Sequence, residues 1–303
     1  MADSVHIAGE AAEARDHPAT GAPEKVVVAD PPPEPDYPRY RVEPGDPARL
    51  SERDPDETEH YRSKKDVAEE LAAARKRLGQ LQARLYAEHQ RSVLIVLQAM
   101  DTGGKDGTIK GVFAGVNPQG CQVWSFKAPS SEERDHDFLW RYHQRVPPAG
   151  MIHIFNRSHY EDVLVVRVKS LVPETVWRGR YDAINDFERQ LTDSGVTLIK
   201  FYLHISRDEQ RKRLQSRLDD PEKHWKFSSN DVAERAYWDD YQLAFDEALT
   251  RCSTPYAPWY VVPANAKWFR NLVVARTIED TLAAMDPQYP AAEPDLEKVT
   301  IPA

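Results

Sequence analysis

Two adjacent glycines and a lysine follow a short apolar run in the segment 98–108, QAMDTGGKDGT. The Gly103-Gly104 pair permits a tight turn, so that backbone N–H groups can surround an anion, and Lys105 adds a positive charge. Phosphate groups are the anions that such turns typically bind at the start of a helix. The alternative is an ordinary strand-to-helix turn in which the glycines only relieve strain.

The segment departs in two places from the common phosphate-loop pattern, G-x-x-x-x-G-K-[ST]. Ala99 stands where the first glycine is usual, and Asp106 stands where a hydroxyl residue usually holds Mg²⁺. A carboxylate repels bound phosphates unless a cation lies between them, so Asp101 within the loop predicts Mg²⁺ coordination. The position after an apolar strand pattern and before a helix favours phosphate binding over a structural turn.

A second group of polar residues, NRSHYED at 156–162, follows the third apolar strand pattern. Ligands of open α/β sheets bind at the carboxyl ends of the strands, so this group is predicted to face the phosphate loop. Arg157 is suited to neutralise a transferring phosphoryl group, and Glu161 and Asp162 are suited to hold a metal or orient an acceptor. The alternative is a solvated loop with a local ion pair.

Further basic residues lie beyond these two groups. Arg134 and Arg141, seven residues apart, are predicted to share one face of a helix. The helix 208–218 is interpreted either as part of a mobile lid over phosphates or as a solvated basic face. The other basic residues of interest are Lys127, Arg178, Arg180, Arg207, Arg211, Lys212, Arg213, Arg217, Lys223 and Lys226. Core or hinge packing, rather than base stacking, is predicted for the aromatic residues Trp225, Trp238, Tyr241, Trp259 and Trp268.

Hydrophobic patterns predict strands that alternate with helices, which is the order of a parallel α/β sheet. The run VLIVL at 93–97 is apolar throughout, as in a strand covered on both faces. The other predicted strands are 122–126, 151–155, 197–205 and 259–262. The predicted helices are 64–90, 105–115, 131–144, 181–192, 208–218, 231–250 and 267–285.

The net charge of −9 is concentrated at the ends of the 303-residue chain. Residues 1–60 hold 6 basic and 15 acidic residues, residues 286–303 hold 1 basic and 4 acidic residues, and the segment between them has a balance of +3. The acidic, proline-rich residues 1–36 are predicted to be disordered, and residues 37–60 to lie on the core as an ordered strap. One catalytic domain is predicted over 37–285, followed by a C-terminal tail.

Composition excludes several classes of protein. With 41% hydrophobic residues the chain can form a sizeable core, so it is not wholly disordered. Its acidity argues against a general nucleic-acid coat protein. The sequence has no run of about 18 apolar residues and no secretory signal pattern, and its two cysteines are too few for a disulfide framework. A cytoplasmic protein without membrane or nucleic-acid partners is expected.

Six segments together resemble the polyphosphate kinase 2 family. They occur in order over about 37–285 and read AMDTGGKDGTIKGV (99–112), FKAPSSEERDHDFLWR (126–141), FNRSHYEDVLVVRV (155–168), RLDDPEKHWKFSSND (217–231), YWDDYQ (237–242) and APWYVVPANAKWFRN (257–271). The resemblance implies a P-loop kinase fold similar to thymidylate kinases, a parallel sheet flanked by helices, with a helical lid at about 207–230. It also implies Mg²⁺-dependent phosphoryl transfer between inorganic polyphosphate and AMP, ADP or ATP, with guanine nucleotides as further candidates, by a homodimer or homotetramer.

Carried onto this sequence, the resemblance implies that Asp101 binds metal and that Lys105 is the phosphate-loop lysine, with Arg157 and Glu161 completing the catalytic set. Asn156 stands where many family members have aspartate, so no metal role is assigned to it. The NRSHYE form resembles the subgroup called class III, which is associated with phosphorylating both nucleoside mono- and diphosphates. The resemblance implies that Glu161 stands at a position linked to the choice of acceptor. The residues predicted to bind phosphate or nucleotide are Thr102, Gly103, Gly104, Asp106, Gly107, Lys127, Arg134, Arg141, Asn156, Arg178 and Lys226.

The sequence therefore predicts a polyphosphate-dependent kinase that converts AMP to ADP and ADP to ATP and can run in reverse. Two alternatives remain. One is an ATP-dependent nucleoside monophosphate kinase on the same fold, and the other is a non-catalytic regulator that binds phosphate or nucleotide at a degraded site. The joint retention of Asp101, Lys105 and Arg157 favours an active enzyme over the regulator.

Overall fold

A computed structural model describes residues 38–302, and within them six strands form one sheet. The strands are β1 Arg41–Val42, β2 Ser92–Gln98, β3 Cys121–Ser125, β4 Ile152–Asn156, β5 Val196–His204 and β6 Trp259–Pro263. Their spatial order is β1-β6-β5-β2-β4-β3, and every neighbouring pair is parallel except β1 with β6. The predicted parallel α/β sheet is confirmed. The predicted disordered segment, residues 1–36, lies outside the described residues.

Helices connect the strands and cover the sheet. They are α1 Ala68–Glu88, α2 Lys105–Val112, α3 Ser131–Asp135, α4 Trp140–His143, α5 Val165–Val168, α6 Glu174–Asp193, α7 Arg207–Asp219, α8 Ser229–Glu234, α9 Trp238–Cys252 and α10 Lys267–Met285. The predicted helix over 267–285 coincides with α10, which packs against α1. Within residues 38–302, no helix combines the length and the apolar character that crossing a membrane requires.

The central strand β2 is buried along its whole length, between β4 on one side and β5 on the other. This burial explains why its sequence is apolar without alternation, because helices cover both faces of the sheet. The parallel register pairs Leu97 of β2 with Asn156 of β4, and Gln98 of β2 with Tyr202 of β5. The residues that follow β2 and β4 therefore meet at one edge of the sheet.

The segment before α1 lies on the core, where the sequence analysis expected an ordered strap over 37–60. Its strand β1 pairs with β6, and Tyr40, Val42, Ala48 and Leu50 are buried. Polar contacts with the core also hold it, among them two that involve residues near α9. The Ser253 hydroxyl donates to the Val42 carbonyl at 2.5 Å, and the N–H of Leu50 donates to the carboxylate of α9 residue Asp246 at 2.7 Å.

The prediction of a single helix over 131–144 is wrong. Helix α3 ends at Asp135, and α4 begins at Trp140. Between the two helices, Asp137 Oδ1 accepts a hydrogen bond at 2.9 Å from the N–H of Leu139. This local side-chain contact offers the backbone an alternative to helical hydrogen bonding, which is why a short aspartate favours turns over helix interiors.

The largest other departures from the predicted helix limits concern α6 and the segment 231–250. Helix α6 begins at Glu174, seven residues before the predicted start, directly after Pro173. Proline is compatible with a helix start because the first N–H groups of a helix have no intrahelical partner. The predicted helix over 231–250 is divided into α8 and α9 by a 3₁₀ turn at Arg235–Tyr237.

Candidate active site

The phosphate loop, residues 99–104, has a backbone shape that requires both of its glycines. Gly104 has a φ of 104°, in the left-handed region that favours glycine. A Cβ atom at Gly104 would lie 2.1 Å from Nη1 of Arg270, and one at Gly103 would lie 2.4 Å from the Cβ of Ala99. Ala99 stands at the position of the usual first glycine. Its methyl group fits there because Gly103 has no side chain.

Lys105 is the first residue of α2, and its Nζ donates a hydrogen bond to the carbonyl of Ala99 at 3.1 Å. This contact holds the ammonium group at the loop. Loss of solvation, and then the positive charge of Arg157, lower the pKa of Lys105 to about 8. A bound anion would oppose both effects.

Arg157 connects the ends of β2 and β4. Its φ of 64° turns the chain directly after Asn156, and its N–H donates to the carbonyl of Leu97 at 3.1 Å. Its Nη2 binds Asp101 Oδ1 at 2.6 Å, and its Nη1 lies 3.4 Å from Glu161 Oε2. The negative charge of Glu161, and then that of Asp101, raise the pKa of Arg157 further above its usual range despite burial. The Arg157 side chain is 40% exposed, so it can still meet a ligand.

A cavity of about 560 Å³ lies over this arrangement. Three of its lining residues are acidic, namely Asp101, Asp106 and Asp231. Five are basic, namely Lys105, Lys127, Arg157, Arg217 and Lys226. Besides the Arg157–Asp101 pair, its walls contain a hydrogen bond from Asn156 Nδ2 to Asp106 Oδ1 at 2.8 Å and an ion pair between Arg217 and Asp231 at 3.1 Å. A positively charged cavity of this size is suited to a phosphate-rich ligand.

Comparisons with known proteins identify the family of this chain. A model of the family described as Polyphosphate kinase 2 (PPK2) matches residues 61–290. The chain belongs to this family. Its similar relatives include an AMP/ADP-polyphosphate phosphotransferase of Meiothermus ruber, 54% identical over 264 residues that cover 87% of this chain and 99% of the relative. They also include an ADP-polyphosphate phosphotransferase of Rhodopseudomonas palustris, 45% identical over 78% of this chain and 86% of the relative.

A solved polyphosphate kinase 2 has the same fold. The crystal structure of the Arthrobacter aurescens protein superposes with a TM-score of 0.83 and is 45% identical, over 89% of this chain and 96% of that one. The family resemblance inferred from the six sequence segments is thereby confirmed.

Most of the residues predicted to bind phosphate line the cavity of this polyphosphate kinase 2 family member, but three arginines do not. Arg134 is exposed and donates to the carbonyl of Pro129, and Arg178 pairs with Glu174 and Glu247 on the surface. The predicted residues that line the cavity are Asp101, Thr102, Gly103, Gly104, Lys105, Asp106, Gly107, Lys127, Asn156, Arg157 and Lys226.

Arg141, the third of these arginines, is buried and does not line the cavity. It donates to the carbonyl of Lys127 at 2.9 Å and to the hydroxyl of Tyr142 at 3.0 Å. The expectation that Arg134 and Arg141 share a helix face is wrong, because they lie on the separate helices α3 and α4. Residues seven positions apart share a face only within one unbroken helix.

Glu161 lies on the opposite side of the Asp101–Arg157 pair, in a small cavity with room for about one water molecule. Sequence reasoning missed two of its lining residues, Glu234 and Tyr241, whose hydrogen bond is 3.1 Å long. Tyr241 was expected only to pack in the core or a hinge. Burial, and then the charge of Glu234, raise the pKa of Tyr241 above its usual value, so it acts as a neutral donor.

The turn that carries Glu161 is fixed by a buried polar network that the sequence analysis did not identify. Glu188 of α6 accepts hydrogen bonds from Tyr160 at 2.8 Å and pairs with His159 Nε2 at 3.0 Å. Lys200 of β5 binds Glu188 and also donates to Tyr160 at 2.8 Å. All four side chains are fully buried. The residues that precede Glu161 therefore have little freedom to move.

The described residues contain no cluster of three or more histidine, cysteine, aspartate or glutamate side chains arranged to hold a metal ion. Asp101 and Glu161 form a smaller donor set, and both carboxylates now bind Arg157. Mg²⁺ usually binds through one or two carboxylates together with waters and substrate phosphates. Asp101, with Glu161 nearby, therefore fits a divalent ion that arrives with a phosphate ligand.

The close approach of Gly104 to Arg270 gives a testable prediction. We expect Gly104→Ala to destabilise the protein by about 1–3 kcal/mol more than Gly45→Ala, because only the first substitution adds a steric clash to the backbone strain. Gly45 is a matched control, since its φ is 90° and a Cβ there would meet nothing within 4 Å. Urea unfolding of the two variants measures the difference, and equal losses of free energy would contradict the proposed close packing.

Proposed function

We propose that this protein transfers a phosphoryl group from inorganic polyphosphate to AMP and to ADP, and that the reaction can also run in reverse. The observation that carries the proposal is the cavity in which the phosphate loop, Lys105 and Arg157 converge. The names of its relatives, AMP/ADP- and ADP-polyphosphate phosphotransferase, support this choice of donor and acceptors.

The proposed donor site is the phosphate loop. The N–H groups at the start of α2, with Lys105, would bind the terminal phosphate groups of polyphosphate, and Arg157 would neutralise the charge on the transferring group. A nucleotide phosphate oxygen is already a charged nucleophile, so the reaction needs no general base. The contribution of the protein would be positioning and charge stabilisation.

The proposed metal is Mg²⁺, held by Asp101. When bound, Mg²⁺ reduces the repulsion between the phosphate groups of donor and acceptor. The ion pair between Arg157 and Asp101 supports this assignment, because the carboxylate already neutralises a cation at that point. Phosphate groups entering the cavity would compete with Asp101 for Arg157. The carboxylate that Arg157 releases would then be available to the metal.

The proposed lid belongs to the segment 207–230. The first part of α7 is tied to the phosphate loop, because Gln210 Nε2 donates to the carbonyl of Asp101 at 3.0 Å. Beyond it, Arg217 and Lys226 line the cavity, and Trp225 is 78% exposed, contrary to the expected packing. We therefore assign the movable part of the lid to the residues after Arg213.

The choice of acceptors and the limits of the catalytic domain are also proposals. The NRSHYE form of the second group supports use of both AMP and ADP, as in class III, with Glu161 close to the acceptor. We propose that residues 37–285 act as one catalytic domain. The dimer or tetramer and the cytoplasmic location expected from the sequence stay predictions.

Donor choice tests the proposal. We expect the purified protein with Mg²⁺ to form ADP from AMP and ATP from ADP when inorganic polyphosphate is the only donor, as measured by chromatography of the nucleotides. Formation of ADP from AMP with ATP as donor, but never with polyphosphate, would identify an ATP-dependent monophosphate kinase instead. Binding of nucleotide or polyphosphate without turnover would identify a regulator, and strict use of ADP would contradict the class III assignment.

The lowered pKa of Lys105 gives a second prediction, on the pH dependence of activity. Donor binding needs the protonated amine, so kcat/KM for polyphosphate is expected to be level below pH 8 and to fall as the pH rises through about 8. Bound polyanion stabilises the ammonium form, so the corresponding fall in kcat should occur at higher pH.

The matched variant for this pH profile is Lys105→Arg, whose guanidinium group stays charged throughout this range. Its kcat/KM, although lower at every pH, should lack the fall near pH 8. A wild-type profile that stays level up to pH 9.5, or an unchanged fall in the variant, would contradict the assignment of this ionisation to Lys105.

A further inference from the structure

Two buried arginines lie behind the phosphate loop, on the side away from the cavity. The first, Arg213 of α7, donates hydrogen bonds to the carbonyls of Thr102 at 3.1 Å and Gly103 at 3.0 Å. It also donates to the carbonyl of Ala264, which follows β6, at 2.6 Å. Its charge is balanced by Glu209 at 2.7 Å. Arg213 is therefore a fully partnered residue that fixes the loop.

The second arginine, Arg270 of α10, is not balanced in this way. It is 2% exposed, and its Nε and Nη2 atoms donate to Asn271 Oδ1 at 3.1 and 2.8 Å. Its Nη1 has no hydrogen-bond partner, and within residues 38–302 no carboxylate pairs with its guanidinium group. A buried, unpaired cation is costly in a folded protein.

The two guanidinium groups meet at Gly104. The position that a Cβ atom would take there is 2.1 Å from Nη1 of Arg270 and 3.4 Å from Nη1 of Arg213. Arg270 also reaches the first turn of α2, because a Cβ atom at Gly107 would lie 3.4 Å from its Nη2. Only the glycine backbone of the loop thus separates the unpaired group from the site where the anion is proposed to bind.

Glu209 balances the charge of Arg213, but no described carboxylate balances that of Arg270. Burial, and then the charge of Arg213, lower the pKa of Arg270 to about 9. The N-terminus of α2, which begins at Lys105, adds the positive end of a helix dipole. An anion in the loop would be attracted by all of these groups and would reduce their mutual repulsion.

We propose that Arg270 is a positioning residue that supplies positive charge to the phosphate loop from its buried side, and thereby favours binding of the polyphosphate donor. The inference rests on the proposed function, since it concerns the same donor site. Arg270 does not line the cavity, so its contribution passes through the backbone of Gly104. The unpaired guanidinium group of Arg270 destabilises the protein without ligand and strengthens the binding of a polyanion.

A purely structural arginine would behave differently. If Arg270 only stabilised the fold, its removal would lower the stability of the ligand-free protein and affect ligand binding only indirectly. The proposal instead requires that removal of the charge weakens ligand binding without lowering the stability of the protein measured without ligand. The cation is a cost to the ligand-free fold and a benefit to the complex.

The test compares Arg270→Met and Arg270→Lys with the wild type, using inorganic triphosphate with Mg²⁺ as the probe. We expect Arg270→Met to unfold no more than about 2 °C below the wild type without ligand, since it replaces an unpaired charge with an apolar chain of similar reach. Calorimetric titration should show its Kd for triphosphate raised about tenfold. Arg270→Lys, which keeps a charge, should bind within about threefold of the wild type.

The control is Arg189→Met, which removes the same charge from an exposed ion pair with Asp186 on α6. Its Kd for triphosphate should match that of the wild type. Two results would overturn the inference about Arg270 but not the proposed donor site. One is an unchanged Kd in Arg270→Met, and the other is an Arg270→Met protein that fails to fold or unfolds at a temperature well below that of the wild type. A wild-type protein that does not bind triphosphate would overturn the proposed donor site and the inference with it.

Discussion

The ion pair between Arg157 and Asp101 is the interaction on which the rest of the site depends. The two residues follow neighbouring parallel strands, and the N–H of Arg157 extends the sheet hydrogen bonding past the end of β4 by binding the carbonyl of Leu97. Glu161 holds the same guanidinium group from the other side. The sheet register thus determines where the phosphate loop, the arginine and the carboxylates meet.

Positive charge predominates at the cavity around this pair. The whole protein has a net charge of −9, yet the cavity is lined by more basic than acidic residues. Arg213 and Arg270 are two further cations behind the loop, where they are buried and do not line the cavity. A polyanionic substrate therefore fits a protein whose overall charge has the same sign, because the attraction acts at short range and the acidic ends lie elsewhere in the sequence.

The parallel strands and the phosphate loop could be predicted from sequence because both are local patterns. The apolar run of β2 and the Gly103-Gly104 pair are read from a few consecutive residues. The role of Arg270 could not be read in this way, because it depends on a contact with Gly104 that is 166 positions away. The prediction that Arg134 and Arg141 share a helix face was wrong for a local reason. A turn separates α3 from α4, and the spacing of the residues did not reveal it.

The most direct test of the account is the turnover of an Arg157→Met variant with polyphosphate and AMP. The Arg157 side chain pairs with Asp101 and is proposed to neutralise the transferring phosphoryl group. A folded variant with kcat/KM reduced by about 10³-fold or more is the predicted result, as for arginines that stabilise phosphoryl transfer. A kcat/KM within about tenfold of the wild type would contradict the central role of Arg157.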